Sequence, residues 1–325
     1  MNNKPIIPIF YACDDNFVKY TIVSLKSMII NASKNYQYNV YVLNTNISTE
    51  MKEHLYLLTN ENFKVEIIDV SSHLDQIGPE LPIRDYYSKT TYFRLFIAQM
   101  YPEYDKAIYI DSDTIVEGDI ADLYNHDLGD NYVGACHEQV MIQTEEYGTY
   151  VEKVLGISRH NYFNAGILVI NCHQFRKQNV LNQFVQLLNE YNFVVTQDED
   201  YLNVICHNRV LWIDQPWNTE VFGEIAYSAN QVKIFHYIMV SKPWHYADCR
   251  FAEHFWKYAK QTTVYNQIIN RLNTYTDEQR KEDFASVGRL MELAISEINR
   301  DDNYLNRKQK EETINAFSRP TTSTI

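Results

Sequence analysis

The sequence predicts an α/β fold in which a mostly parallel sheet is flanked by helices, with a helical appendage at the carboxyl end. Two strand–helix units follow one another near the amino end: strand Ile6–Ala12 leads into one helix, and strand 38–43 leads into another. Consecutive units of this kind place their strands parallel in one sheet. The 325-residue chain is 45% hydrophobic, which is enough to bury a substantial core.

The elements of the first half follow in chain order. After the first strand, Val18, Ile22 and Leu25 recur at helical spacing, and Ser48 or Thr49 can cap the second helix. The strand at 106–110 is almost entirely apolar, which is typical of a strand buried on both faces of a sheet. The other predicted elements are a third strand at 65–70, a loop at 71–89, a helix opening at 90–96 and a short helix at 119–124.

The second half predicts further strands and one long connection. Residues 138–162 are polar and rich in tyrosine, and a connection of this length predicts a lid or substrate loop, with ordinary surface as the alternative. The predicted regular elements are strands at 132–136, Ile167–Ile170 and 234–237 and helices at 180–191 and from 197 onward.

The carboxyl end predicts a separate helical unit. We divide the chain into a domain at 1–262, a helical appendage at 263–317 and a disordered tail at 318–325. Thr276 and Gln279 are spaced as a capping box. An apolar stripe at helical spacing follows, which predicts packing against the domain or a partner, with homo- or hetero-oligomers possible through these helices. The stripe comprises Phe284, Val287, Met291, Leu293 or Ala294, and Ile298.

Composition narrows the class of function. Lys and Arg number 29 against 42 Asp and Glu, a net charge of −13, which argues against nucleic acid or an anionic membrane as the main partner. No apolar run approaches the roughly 18 residues of a transmembrane segment. The five cysteines are scattered without a Cys-x-x-Cys pair, so we expect a reducing cytoplasm, with the protein free or peripheral at the inner membrane face.

Two carboxylates follow the buried strand at 106–110. Asp111 and Asp113 are two residues apart, so an extended chain turns both toward one point at the carboxyl end of the strand, where open α/β sheets bind ligands. Adjacent carboxylates repel unless a cation lies between them, and Mg²⁺ or Mn²⁺ bridging to phosphate is the usual solution. The alternative is that Asp111 or Asp119 only caps a turn or helix.

The corner after the first strand is a second candidate site. Asp14 and Asn16 can hydrogen-bond a base or ribose there, and capping the following helix is the equal alternative. Neither Gly-x-Gly-x-x-Gly nor a Walker loop occurs anywhere in the chain, so the usual dinucleotide and P-loop interpretations fail.

Seven further positions, in four segments of the chain, carry candidate chemistry. Arg94 can meet a phosphate or carboxylate, although a lone arginine usually forms a surface ion pair. Asn164 before a pair of small residues indicates a close backbone approach to a ligand. Three carboxylates at 198–200 exceed what a helix start requires. His236 and Lys242 supply a nitrogen ligand and a cation for a diphosphate, and the imidazole favours Mn²⁺ over Mg²⁺.

Taken in order, these motifs resemble glycosyltransferase family 8, nearest to the bacterial lipopolysaccharide α-galactosyltransferases and more distantly glycogenin. The resemblance covers about residues 6–260. It rests on the segments Phe10-Tyr11-Ala12-Cys13-Asp14-Asp15-Asn16, Thr90-Thr91-Tyr92-Phe93-Arg94, Tyr109-Ile110-Asp111-Ser112-Asp113, Phe163-Asn164-Ala165-Gly166, Gln197-Asp198-Glu199-Asp200 and His236 followed by Lys242-Pro243-Trp244-His245.

The resemblance implies a Rossmann-like GT-A fold and a retaining, Mn²⁺-dependent transfer of glucose or galactose. The implied donor is UDP-glucose or UDP-galactose, and the implied acceptor is a glycan or glycoprotein. By matching position, Asp111, Asp113 and His236 are the implied metal ligands. The implied donor and catalytic residues are Ala12, Asp14 and Asn16 at uridine and ribose, Lys242 at the diphosphate, Arg94, Asn164, Asp198 and Glu199 at the sugar, and Cys13, Thr91, Ser112 and Ala165 beside them.

Two positions depart from the family pattern. Met239 stands where the family usually has glycine, and its side chain can crowd the diphosphate. Glu199 stands where the lipopolysaccharide enzymes carry glutamine, which leaves double displacement and front-face return both open. Two other functions stay open: a catalytically silent binding or chaperone partner of another glycosyltransferase, and a metal-dependent nucleotidyltransferase or nucleotide-sugar hydrolase.

Overall fold

A computed structural model describes residues 4–74 and 89–318 of the chain. Its strands form two sheets, and the first strand has the predicted bounds. The strands are β1 Ile6–Ala12, β2 Gln37–Asn44, β3 Phe63–Asp69, β4 Ala107–Ile110, β5 Thr114–Val116, β6 Val133–Ala135, β7 Ile167–Ile170, β8 Val210–Trp212, β9 Thr219–Glu220 and β10 Ile234–His236.

The larger sheet has the order β3-β2-β1-β4-β7-β6-β8. Strands β1 to β4 run parallel to one another, whereas β7 is antiparallel to β4 and to β6. Because of that reversal, the amino end of β7 lies beside the carboxyl end of β4, with Ile167 opposite Ile110. The smaller sheet has the order β5-β10-β9. The predicted fold class, a mostly parallel sheet flanked by helices, is confirmed.

Helices cover both faces of the larger sheet. Alternate side chains of β1 enter two different apolar clusters, with Ile7 and Ile9 on one face and Phe10 and Ala12 on the other. The α-helices are α1 Val18–Asn31, α2 Thr49–Tyr56, α3 Ser71–Leu74, α4 Ile97–Met100, α5 Ile120–Tyr124, α6 Gln139–Gln143, α7 Glu145–Tyr150, α8 Cys172–Lys177, α9 Val180–Glu190, α10 Asp198–Ile205, α11 Ala252–Ala259, α12 Tyr265–Asn273, α13 Asp277–Ile298 and α14 Tyr304–Ser318. The 3₁₀ helices are Lys89–Phe96, Arg159–Asn161, Gln215–Asn218 and Ala229–Gln231, and Val151–Leu155 is a π-helix.

The segment at 138–162, predicted as a lid or substrate loop, is mostly helical rather than a loop, and its role at the substrate stays a prediction. This segment forms α6, α7, the π-helix and a 3₁₀ helix. Its tyrosines do not coat a surface, because Tyr147, Tyr150 and Tyr162 are buried in the apolar cluster on this face of the sheet. The segment is polar in sequence, but the aromatic rings of its tyrosines pack in the core. The sequence did not predict this packing, because tyrosine also carries a polar hydroxyl.

The predicted apolar stripe on α13 is confirmed in part, because Ala294 is buried and Met291 and Ile298 pack against the apolar cluster on this face of the sheet. Thr276 and Gln279 form the expected capping box, but Phe284 is 69% exposed. The buried residues of the helix are Ser286, Leu290, Ala294 and Glu297. The helix thus buries a face that includes polar groups, which hydropathy alone assigns to solvent.

Some predictions fall on residues that the structure does not describe. The central part of the predicted loop, at 75–88, and the tail from 319 lie outside the described residues, and the proposed boundary at 262 stays a prediction. Within the described ranges, no helix combines the length and the apolar character that a membrane crossing requires.

Candidate active site

The turn from Asp111 to Asp113 connects the two sheets. It leaves β4 of the larger sheet and enters β5 of the smaller one. The amide of Asp111 donates to the carbonyl of Gly166 at 2.7 Å, and Thr21 of α1 donates its hydroxyl to that of Ser112 at 2.8 Å. The turn is therefore fixed from β7 and from α1, and the two carboxylates have a defined direction.

His236 joins these carboxylates from the small sheet. It ends β10, which pairs antiparallel with β5 and places His236 opposite Thr114. Its Nε2 lies 3.3 Å from Oδ1 of Asp113 and 3.9 Å from Oδ2 of Asp111. The three ligating atoms lie within 4.8 Å of one another. Two carboxylates and an imidazole form a donor set suited to a divalent cation.

The orientation of the histidine ring is set by Asn218. Nδ1 of His236 lies 3.0 Å from Oδ1 of Asn218, so Nδ1 carries the proton and donates it to the amide oxygen. Nε2 is then the nitrogen that faces the two carboxylates. Such a partner behind a ligating histidine is the usual arrangement in metal sites.

The group of three needs a glycine beside it. A Cβ placed on Gly166 would lie 2.4 Å from Cε1 of His236 and 2.7 Å from Oδ2 of Asp111. The requirement concerns space, since Gly166 is not among the residues with positive φ. The Phe163-Asn164-Ala165-Gly166 motif therefore supplies the room in which the ligands converge.

Lys242 places a positive charge against the same carboxylates. Its Nζ lies 2.5 Å from Oδ2 of Asp113 and also donates to the carbonyl of Tyr237. Burial by itself raises the pKa of Asp113, but Lys242 and His236 outweigh it, so the pKa lies well below its usual range. The ammonium therefore lies directly beside the metal-ligand candidates.

Arg94 is buried and contacts three different segments of the site. The predicted contact with a carboxylate is confirmed, and the alternative of an ordinary surface ion pair is excluded because the residue is 4% exposed. Nε lies 3.1 Å from Oδ2 of Asp198 and Nη2 lies 3.3 Å from Oδ1 of Asp111. The guanidinium also donates to the carbonyl of Ala165 and lies 4.3 Å from the centroid of the Tyr109 ring. These contacts tie α10, β4 and the segment before β7 together.

The acidic residues at the start of α10 have different environments. Burial raises the pKa of Asp198 to about 6, although Arg94 opposes the shift. Glu199 is fixed through one oxygen, which accepts from the amide of Ala165 at 2.8 Å. Burial and then the charge of Glu138 raise the pKa of Glu199 well above its usual range.

Asp200 is enclosed rather than presented to a ligand. It is 0% exposed, and it accepts from the hydroxyls of Tyr150 and Tyr162 at 2.8 and 2.9 Å. The amide of Thr196 donates to it at 3.1 Å. With these donors in place, Asp200 fixes the start of α10, whereas its neighbours Asp198 and Glu199 line the cleft.

Asn164 belongs to a buried chain of hydrogen bonds. Its Oδ1 accepts from the amide of Gly166 at 2.9 Å and from Asn218 at 2.8 Å, and its Nδ2 donates to Glu138. Because Asn218 also hydrogen-bonds His236, these hydrogen bonds connect the metal-ligand candidate His236 to Asn164 and Glu138. The side chain of Asn164 is thereby fixed from both ends.

The corner after β1 shows the capping role that its sequence allowed, and its contact with a base or ribose stays a prediction. Oδ1 of Asp14 accepts from the amides of Asn16 and Phe17, each at 2.9 Å, so it does cap the turn. Asp14 also lines the same cavity as the catalytic candidates. Burial raises the pKa of the Cys13 thiol to about 12, which keeps it uncharged. Asn16 is exposed on the turn and is not among the lining residues, so its role stays a prediction.

Met239 takes the backbone conformation that the family's glycine would favour. Its φ is +53°, in the left-handed region that costs a non-glycine residue about 1 kcal/mol or more. The side chain is half-buried and lines the cavity. Met239 thus combines a left-handed backbone with a side chain in the wall of the cleft.

One cleft of about 330 Å³ collects nearly all the predicted residues. Its walls include the corner after β1, the metal-ligand candidates, and the residues Val140, Met141, Tyr147 and Leu290. The predicted residues that line it are Ala12, Cys13, Asp14, Thr91, Arg94, Asp111, Ser112, Asp113, Asn164, Ala165, Asp198, Glu199, His236 and Lys242.

The structure adds residues that the sequence did not indicate. Tyr109 donates to Oδ1 of Asp111 at 2.7 Å, and its position two residues earlier on the same strand was a usable signal. Asn218 and Glu138 lie in segments without a recognisable pattern. Asp283 and Leu290 of α13 line the cleft, although the helix is far from the motifs in sequence.

A comparison with known families identifies the chain. The profile described as glycosyl transferase family 8 matches residues 8–248. The chain belongs to glycosyl transferase family 8. The match ends before α11, so α11 to α14 lie outside the part of the chain that defines the family.

Individual relatives agree with this assignment. A putative glycosyltransferase of Haemophilus influenzae is 32% identical over 247 residues, which are 73% of this chain and 72% of the relative. The lipopolysaccharide glucosyltransferase WaaO of Escherichia coli is 31% identical over 182 residues, 51% of this chain and 52% of the relative.

Solved structures of glycosyltransferases have the same fold. The galactosyltransferase LgtC in complex with donor and acceptor sugar analogues has a TM-score of 0.65 and 26% identity, covering 85% of this chain and 99% of LgtC. The bifunctional glycosyltransferase WbbM has a TM-score of 0.72 and 26% identity, covering 84% of this chain. The family 8 chain spans about half of WbbM, 52% of its length.

Proposed function

We propose that this family 8 glycosyltransferase is a retaining, Mn²⁺-dependent hexosyltransferase that moves glucose or galactose from a UDP-sugar to a glycan or glycoprotein acceptor in the cytoplasm. The observation that carries the proposal is the convergence of Asp111, Asp113 and His236 with Lys242 in one cleft. Relatives named as a lipopolysaccharide glucosyltransferase and a lipopolysaccharide 1,3-galactosyltransferase support these two sugars.

Asp111, Asp113 and His236 would hold the metal. Their donor set, the proton on Nδ1 of His236 and the space left by Gly166 all fit a divalent cation. The imidazole favours Mn²⁺ over Mg²⁺, because it is a poorer ligand for the harder ion. When bound, the cation supplies positive charge against the developing charge of the UDP leaving group.

Lys242 and Arg94 provide the protein's own cations. Lys242 would bind the diphosphate and stabilise the negative charge that grows on it as the bond to the sugar breaks. Arg94, held by Asp198, would hold the donor sugar in place relative to the bond that breaks. Because both side chains are buried, their charges act with little screening by water.

Glu199 is the candidate for the reacting face of the sugar. One of its oxygens is fixed by the amide of Ala165, and the residue lines the cleft. In double displacement its carboxylate attacks the anomeric carbon and UDP leaves, and the acceptor hydroxyl then displaces Glu199. In front-face return the departing phosphate oxygen accepts the acceptor's proton on the same face. Glu199→Gln distinguishes the two, since only double displacement requires the carboxylate.

The test is UDP release from UDP-glucose and UDP-galactose, with Mn²⁺ and with EDTA, in the wild type and in Asp113→Ala. We expect slow turnover of one donor that both EDTA and the substitution abolish, and faster turnover with a glycan acceptor. Metal-dependent UDP binding without turnover across an acceptor panel would instead indicate a silent binding partner. Sugar release that no acceptor accelerates would indicate a nucleotide-sugar hydrolase.

A further inference from the structure

Helix α13 turns a face with two carboxylates toward the family 8 domain. Asp283, Ser286, Leu290, Ala294 and Glu297 recur at three- and four-residue intervals, so they lie along one side of the helix. Near the end of the helix, Glu297 accepts from the hydroxyl of Tyr191 at 2.6 Å. Asp283 lies near the start, where it lines the cleft.

Asp283 gathers two tyrosine hydroxyls on one oxygen. Its Oδ2 accepts from Tyr246 at 2.8 Å and from Tyr275 at 2.7 Å. Tyr246 follows the Lys242-Pro243-Trp244-His245 motif, and Tyr275 lies between α12 and α13. A single carboxylate oxygen thus joins the carboxyl-terminal helices to the segment that carries Lys242.

His245 is held by the same group. Its ring stacks on Tyr275 with the centroids 4.0 Å apart and the planes at 6°. Burial lowers the pKa of His245 to about 3, and the cations Arg271, Lys242, Lys19 and Arg280 act in the same direction. The ring is therefore neutral, and since its Nδ1 lies 3.9 Å from Asp283, stacking holds it rather than an ion pair.

The turn formed by residues 242–246 connects these contacts of Tyr246 and His245 to Lys242. The amides of His245 and Tyr246 both donate to the carbonyl of Lys242, each at 3.0 Å. Within the same turn, Trp244 stacks on Tyr20 of α1 with the centroids 3.6 Å apart. The turn is thus fixed on one side by α1 and on the other by Asp283 and Tyr275.

We propose that Asp283 and Tyr275, which lie outside the family-defining region, are positioning residues for Lys242, so that the carboxyl-terminal helices complete the binding site for the donor's diphosphate. The inference rests on the proposed function, because it takes a nucleoside diphosphate as the ligand of Lys242. With this role, α12 and α13 contribute to the donor-binding site and are more than an appendage.

The test compares Asp283→Ala with Asp283→Asn in the full-length chain. Both tyrosine hydroxyls donate to the same oxygen, so the asparagine oxygen can keep both bonds, whereas alanine removes both. Asp277→Ala is the matched control, because this carboxylate lies on the same helix and is exposed. The readouts are the Kd of UDP in the presence of Mn²⁺, donor KM and kcat, acceptor KM, and the melting temperature.

We expect Asp283→Ala to raise the Kd of UDP and the donor KM about tenfold, as the loss of two coupled hydrogen bonds allows, with acceptor KM unchanged. For Asp283→Asn, the Kd of UDP and the donor KM should stay within about threefold of the wild-type values. For Asp277→Ala, both should equal the wild-type values. Equal UDP affinity in Asp283→Ala and the wild type, or an equal loss in donor and acceptor KM, would overturn the inference. A wild type that does not bind UDP would instead refute the proposed function.

Tyr275→Phe gives an independent check if Asp283→Ala does not fold. It removes one hydroxyl and keeps the ring that stacks on His245. We expect a smaller rise in the Kd of UDP, about threefold, at an unchanged melting temperature. An unchanged Kd in this folded variant would exclude Tyr275 as a positioning residue.

Discussion

Gly166→Ala tests the geometry of the metal-ligand group with the smallest possible change. The added Cβ would lie 2.4 Å from Cε1 of His236, whereas ordinary contact begins at 3.4 Å. The histidine ring must therefore retreat by about 1 Å, or β7 must move away from β4 by a similar distance. Metal–ligand distances tolerate only about 0.2 Å, so the three ligands can no longer meet one cation.

The expected loss follows from that displacement. A misplacement of about 1 Å in an active site costs about 100-fold in rate, which corresponds to about 2.7 kcal/mol. We expect a loss of this size in Mn²⁺-dependent UDP release, together with a comparable weakening of Mn²⁺ binding measured by titration calorimetry. Fold is checked by the melting temperature of the metal-free protein.

Gly288→Ala is the matched control. A Cβ on Gly288 meets nothing within 4 Å, and the residue is exposed on α13, so activity should be unchanged and stability should rise by about 1 kcal/mol. The reasoning is refuted if folded Gly166→Ala binds Mn²⁺ and releases UDP within twofold of the wild type. In that case the ligands are not confined by β7 in the way the geometry requires.

Three further perturbations probe the same cleft. Lys242→Met should lower kcat for UDP release about 100-fold, because a buried charge opposite the leaving group is lost; an unchanged kcat would remove Lys242 from the mechanism. The pKa of Asp198 is raised to about 6, and only its ionised form holds Arg94 as an ion pair, so UDP release should fall as the pH decreases through 6; a profile that is flat from pH 5 to 7 contradicts this role. Asp113→Ala should abolish the response of UDP affinity to added Mn²⁺, and a titration that still shows metal dependence would assign the ligands elsewhere.

The sequence could predict which edge of the sheet carries the site. The prediction needs only an apolar strand and the carboxylates that directly follow it in sequence. Asp111 and Asp113 follow a fully apolar strand, and β1 has the predicted bounds. The direction of β7 could not be predicted in the same way, since it depends on how the chain returns to the sheet. That direction is what brings Gly166 beside Asp111 and His236.

The buried face of α13 shows a second limit. Asp283 and Glu297 face the domain because tyrosine hydroxyls from outside the helix satisfy their oxygens. Hydropathy periodicity contains no information on such partners, so it placed Phe284 inside, where the structure has it exposed. The same applies to Asn218, whose role depends entirely on meeting His236.

The position of the metal-ligand candidates at the junction of the two sheets gives them a mechanical consequence. Asp111 ends the β4 side of the turn, Asp113 begins the β5 side, and His236 belongs to the neighbouring strand of the small sheet. A cation that binds all three acts as a cross-link between two layers of the molecule. At 100 times its Kd, such a ligand adds about 2.7 kcal/mol to the free energy of unfolding, which corresponds to a rise of about 5 °C in melting temperature. Thermal unfolding with and without Mn²⁺ therefore measures occupancy of the site before any sugar donor is known.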